Sequence, residues 1–110
     1  MHSVVSPNTS DEGLELQIQA LGATAPRVTL ADLNNTIVNT EIVKHITPSG
    51  KVLRWAVLTC QNGFAVTGRP SASVSVENDR QSIGEQFALD NARDELWALL
   101  GYELATKLKS

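Results

Sequence analysis

The chain has 110 residues, 42% of them hydrophobic and 19% charged, with 7 glycines and 4 prolines. Those proportions exclude collagen-like, low-complexity and wholly disordered chains and leave one small globular domain. Lys and Arg total 9 against 12 Asp and Glu, a net charge of −3 that argues against nucleic acid as a partner, since such binders carry a basic excess. A chain of this size buries roughly two thirds of its unfolded surface, so self-association into a dimer or tetramer is a natural supplement. The single cysteine, Cys60, excludes a disulfide framework and a cysteine-based zinc motif, and fits a reducing cytosol. No apolar run approaches the roughly 20 residues of a membrane span. The first residues have no basic region followed by a long apolar stretch, so no secretory signal is expected. Residues 1–9 read as a flexible tail and 10–110 as one domain.

In chain order, Leu14, Ile18 and Leu21 fall on one helical face and predict a short helix over residues 11–21. Asp11, Glu12 and Glu15 suit its first turns, and Gly22 suits its C-terminal cap. Thr29 and Asp32 form a short-armed capping box that opens a second helix over residues 30–37, with Leu30, Leu33 and Ile37 as its apolar face. From Thr40 the period changes. Residues 40–47 alternate and are β-branched, and Pro48-Ser49-Gly50-Lys51 is a turn signal. Residues 52–60, rich in Val, Leu and Trp, form a strong strand candidate. Asn62-Gly63 tolerates the positive φ angles of a tight hairpin turn, after which residues 64–68 return as a third strand. Residues 69–79 read as an irregular loop. Ser82-Ile83-Gly84-Glu85 fits a capping box for a long amphipathic helix over 82–100. Ala88, Leu89, Ala92, Leu96, Leu99 and Leu100 share its apolar face, with Asp90, Asn91, Asp94 and Glu95 opposite. Gly101 is a candidate kink or stop before a last helical turn or two. The fold class is α+β: two short N-terminal helices, a three-stranded antiparallel meander, and a long C-terminal helix packed on one face of the sheet.

Signatures of catalysis are scarce. The histidines are His2, in the tail, and His45, on a strand. There is no H-E-x-x-H, no phosphate-cradling glycine loop and no G-x-S-x-G. A small hydrolase would have to be assembled from His45, Cys60 or the Asp90/Asp94 pair. Those residues read more simply as a surface histidine, a buried small hydrophobe and a solvated helix face. No catalytic residue, cofactor or metal is expected.

The charge distribution says more. Residues 1–40 set Arg27 against Asp11, Glu12, Glu15 and Asp32, a balance of −3. Residues 41–80 set Lys44, Lys51, Arg54, Arg69 and Arg80 against Glu41, Glu77 and Asp79, a balance of +2. Residues 81–110 return to −2. The sheet and the loop after it are thus the basic part of an acidic protein. Guanidinium forks suit phosphate and an indole suits a base, so Lys44, Arg54, Trp55 and Arg69 are the candidate contacts for an anionic small molecule such as a nucleotide. The plainer reading is that the cations guard strand edges against pairing with other chains.

The run Ala25-Pro26-Arg27-Val28-Thr29-Leu30-Ala31-Asp32-Leu33 resembles the opening of the Gp-forty-nine/sixty-six-like family of small tailed-phage proteins. Residues 56–68 look like its central hairpin. Glu77-Asn78, Ile83-Gly84, Ala92, Leu96-Trp97 and Gly101-Tyr102 match its closing helix. The resemblance covers about residues 23–108. It implies a phage or prophage accessory protein in the cytoplasm of an infected bacterium. After Thr67-Gly68 the family pattern continues with an acidic residue and a serine, where this chain has Arg69-Pro70. Asn62 and Gly63 then carry turn geometry, and Trp97 with Tyr102 anchors the helix on the sheet. The leading functional expectation is a non-enzymatic oligomer for host takeover or counter-defence that sequesters an anionic signal. The alternative is a protein-binding inhibitor or adaptor of a host protein.

Overall fold

A strand whose alternate residues are buried and half-buried occupies the middle of the molecule. This is β2 (Val52–Cys60), in which Val52, Arg54, Ala56, Leu58 and Cys60 are buried and the intervening residues partly covered. A computed structural model describes residues 7–20, 25–73, 77 and 79–110, without the side chains of residues 7–10, 19 and 20. The elements run α1 (Pro7–Ala20), α2 (Leu30–Thr36), β1 (Ile37–Ile46), β2, β3 (Ala65–Thr67), β4 (Ser71–Ser73) and α3 (Gln81–Lys109). The expected α+β class holds: an antiparallel sheet ordered β1-β2-β3, with β4 also on β2, lies against the long helix.

Helix α1 starts at Pro7, four residues before the expected boundary, because proline is well accommodated in a first helical turn. Its inward face also differs. Asp11, Glu15 and Ile18 are partly covered, whereas Leu14 and Leu16 are 56% and 67% exposed. Polar links turn the helix this way. The Glu15 carboxylate accepts from Arg27 Nη1 and Nη2 at 3.0 and 2.7 Å and from the Leu30 N–H at 3.0 Å. Asp11 accepts from Trp97 Nε1 of α3 at 3.4 Å. Gly22 and residues 1–6 of the expected tail lie outside the described residues.

The capping box of α2 is present as expected. The Asp32 N–H donates to Thr29 Oγ1 at 3.1 Å, and the Thr29 N–H donates to Asp32 Oδ2 at 2.9 Å. The helix passes straight into β1, which therefore starts at Ile37 rather than Thr40. Both hairpin turns are built alike. The Gly50 N–H donates to the Thr47 carbonyl at 2.9 Å and the Gly63 N–H to the Cys60 carbonyl at 2.8 Å. A glycine then takes a left-handed φ of 87° or 88°, a turn followed by a glycine bulge. Asn62 contributes differently from expectation. Its φ is negative, and its side-chain oxygen accepts from the Phe64 N–H at 2.9 Å.

The return strand is shorter than expected, and part of the expected loop is a strand. Ala65–Thr67 pairs with Thr59–Val57, and Ser71–Ser73 pairs with Arg54–Val52. Gly68, Arg69 and Pro70 thus face only Trp55 and Ala56, a one-residue bulge that divides one return path into β3 and β4. Gly68 is required by close approach: a Cβ there would lie 2.3 Å from the Asn91 carbonyl carbon of α3. The Asn91 amide secures the crossing by donating to the Arg69 carbonyl at 2.8 Å.

Helix α3 runs unbroken through Gly101 to Lys109, so the expected kink or stop is absent. Glycine lowers helix propensity by about 1 kcal/mol without removing a hydrogen bond, and 20 residues precede it. The expected capping box at Ser82 is also absent. Arg80 is the N-cap residue, and Glu85 accepts from Gln81 Nε2 at 3.0 Å instead of reaching back. Ala88, Ala92 and Leu96 face the sheet and join Leu33, Ala56, Leu58, Cys60 and Val66 in the core. Leu99, placed on that face by the sequence pattern, is 44% exposed. Asp90, placed on the polar face, is buried at 1% exposure and accepts from Gln86 Nε2 at 3.1 Å. Trp97 packs against the core as expected, but Tyr102 does not anchor the helix: it is 78% exposed.

Candidate functional site

Alternation along β2 decides which candidate residues can act together. Side chains of successive strand residues point to opposite faces. Arg54 lies on the face under α3, and Trp55 on the face that α3 leaves uncovered. The indole and the guanidinium are therefore not brought together.

Arg54 is 3% exposed and engaged in a fork-to-fork ion pair. Its Nη1 and Nη2 meet the two carboxylate oxygens of Asp79 at 2.5 and 2.6 Å. Gly84 of α3 lies against the same guanidinium, so close that a Cβ there would approach Nη1 to 2.8 Å. The Ser71 hydroxyl donates to the Gly84 carbonyl at 2.7 Å. The Asp79 carboxyl is held below the usual carboxylate range, first by its hydrogen bonds to Arg54, with Lys44 and the Ser73 hydroxyl adding smaller effects. The Arg54 guanidinium is correspondingly held above its usual value by Asp79. This pair fastens the start of α3 onto β2 and β4.

A groove of about 790 Å³ opens beside the pair, between β4 and the first half of α3. Arg54, Arg69 and Arg80 line it together with Asp79, Asp94 and Glu95. Arg69 and Arg80 are exposed, and Arg80 Nη1 donates to the Asp79 carbonyl at 3.0 Å. Two of the four candidate contacts, Arg54 and Arg69, thus share this groove. Lys44 is exposed on β1 directly opposite Arg54. The sequence pattern missed Asp79, Arg80 and Gly84. An acid–base pair at the end of a serine-rich stretch was the available signal.

The uncovered face has another character. Leu53, Trp55 and Val57 run along its centre, with Val43 of β1 beside Trp55. Asn39, Glu41 and His45 border them on β1, and Thr67 borders Val57 on β3. Glu41 and His45 are the only charged or titratable residues among the described strand residues of this face.

Cys60 and His45 cannot meet as nucleophile and base. Cys60 is 5% exposed within the core, at the end of β2 that pairs with Ile37. His45 lies on the uncovered face, opposite Leu53 at the other end of the hairpin. Asp90 and Asp94 are likewise divided, one buried and the other exposed. No cluster of three or more metal-ligating side chains occurs among the described residues. No described helix is long and apolar enough to cross a membrane.

The phage protein family of N4 Gp49 and phage Sf6 gene 66 matches residues 28–108. The chain belongs to that family. The match takes in α2, all four strands and nearly all of α3, and leaves α1 outside. No curated protein and no solved structure matches the chain.

Proposed function

We propose that this phage-family protein is a non-catalytic accessory protein that binds a folded host protein through the uncovered face of its sheet. It would act in the cytoplasm of an infected bacterium, in host takeover or counter-defence. The observation that carries this reading is Trp55, which stands between Leu53 and Val57 on a face that α3 does not cover. Interface centres are depleted of charge and enriched in aromatic residues, and a central tryptophan is a common dominant contact. The surroundings fit that pattern, with an apolar centre and a border of Asn39, Glu41, His45 and Thr67. The nearly uncharged centre offers no Coulombic hold on phosphate. It suits a protein that presents an apolar patch of its own.

Immobilised wild-type protein and Trp55→Ser are compared against lysate from the bacterial host. The reading expects a stoichiometric host protein retained by the wild type and lost with Trp55→Ser, while Arg69→Glu retains it. A retained protein that is indifferent to Trp55 overturns it.

The β4–α3 groove supports a second reading, sequestration of an anionic small molecule such as a nucleotide by Arg69 and Arg80. The three carboxylates of the same groove weigh against it, because they offset the three arginines. Thermal-shift assays with cyclic and linear nucleotides test it. A stabilisation abolished by a joint Arg69→Glu and Arg80→Glu change supports this reading, and the absence of any shift removes it.

A further inference from the structure

The two edges of the sheet are unlike. On one side the return path is broken by Gly68-Arg69-Pro70, and proline cannot donate to a ladder. On the other, β1 runs from Asn39 to Ile46 in unbroken register with β2, and no described strand pairs with its outer edge. An edge of this length is a template for another strand. The direction of its free groups follows from the hairpin. The Thr47 N–H donates to the Lys51 carbonyl at 2.8 Å, so odd-numbered residues of β1 turn their backbone groups toward β2. Thr40, Ile42, Lys44 and Ile46 then present theirs outward.

We propose that two copies of this chain pair antiparallel along β1, with Val43 at the two-fold axis, to make one continuous sheet. The axis must stand perpendicular to the sheet, so residues of the same face oppose each other and the centre falls on a residue. Centring on Glu41 or Lys44 would set like charges directly opposite, which is destabilising. Centring on Ile42 would bring no complementary pair together. Centring on Val43 sets Glu41 against His45 of the second copy, twice. It also places Ile42 against Lys44 and Thr40 against Ile46 as hydrogen-bonded pairs, about eight ladder bonds in all. The two valines form the close, non-hydrogen-bonded pair in which β-branched side chains pack best. Each Lys44 keeps Asp79 of its own copy within Coulombic range, which eases the diagonal approach of the two lysines. Because Val43 adjoins Trp55, the dimer aligns both Trp55–Val43 rows into a single apolar stripe. The pairing goes beyond the function proposed above and stands without it.

Sedimentation equilibrium and a cross-link read it without any partner. The wild type is expected to sediment at twice 11.9 kDa at high micromolar concentration. Val43→Lys, checked for folding by circular dichroism, is expected to sediment as a monomer. Oxidised Val43→Cys is expected to run as a covalent dimer, because paired Cα atoms at such a position lie about 4.5 Å apart, within disulfide range. Glu41→Cys should not cross-link, and native Cys60 is buried. A monomeric wild type overturns the pairing. Cross-linking through position 41 in place of 43, or a dimer that survives in folded Val43→Lys, overturns the register.

Discussion

Arg54 and Trp55 are neighbours in sequence and belong to different parts of the molecule. Arg54, on the helix side of β2, is sealed under Gly84 and paired with Asp79. Trp55, on the other side, lies on a face that no described helix covers. The helix side holds the fold together, with Leu58, Ala88, Ala92 and Leu96 close-packed and Gly68 touching the α3 backbone. The uncovered side has a similar supply of apolar residues and little to pack them against. A cation in a basic stretch can thus be a fastening, while the aromatic residue beside it lies on the opposite face of the sheet.

Four substitutions sharpen the contrast, from the largest effect to the smallest. Leu58→Ala removes a side chain of 1% exposure from the core, and about 3 kcal/mol of stability should be lost in urea unfolding. Gly68→Ala forces α3 off the sheet, since backbone rather than a movable side chain stands 2.3 Å from the new Cβ. About 2 kcal/mol should be lost by the same measurement, as for an overpacked core. Gly63→Ala puts a side chain at φ 88°, where the left-handed penalty is about 1 kcal/mol.

Asp79→Asn is read through pH. The native carboxyl is held below its usual value, so its pairing with Arg54 contributes fully above about pH 4. That contribution is lost as pH falls through the lowered value. The wild type should therefore lose stability more steeply in acid than Asp79→Asn, and equal acid slopes would show that the pair does not fasten α3.

The class of the fold was legible because β2 alternates cleanly and α3 carries its small and large apolar residues at helical spacing. Thr29 and Asp32 announced α2 because a capping box is local chemistry. Three features were hidden for physical reasons. β4 is Ser-Ala-Ser, with almost no intrinsic strand preference, and it forms because Val52 and Arg54, opposite Ser73 and Ser71, turn backbone groups toward it that need partners. The inward face of α1 is set by Asp11 and Glu15, whose partners Trp97 and Arg27 are distant in sequence. A joint site of Lys44, Arg54, Trp55 and Arg69 rests on charge by segment, which ignores the alternation of a strand. Helix period likewise placed Asp90 on the polar face, although it is buried.

The contrast between the two faces is tested most directly by urea unfolding of Trp55→Ser beside Leu58→Ala at a concentration where the chain is monomeric. Trp55→Ser should cost under about 1 kcal/mol, the scale of cross-strand pair contributions, against about 3 for Leu58→Ala. A loss from Trp55→Ser equal to that from Leu58→Ala would contradict the account, because the uncovered face would then be part of the core.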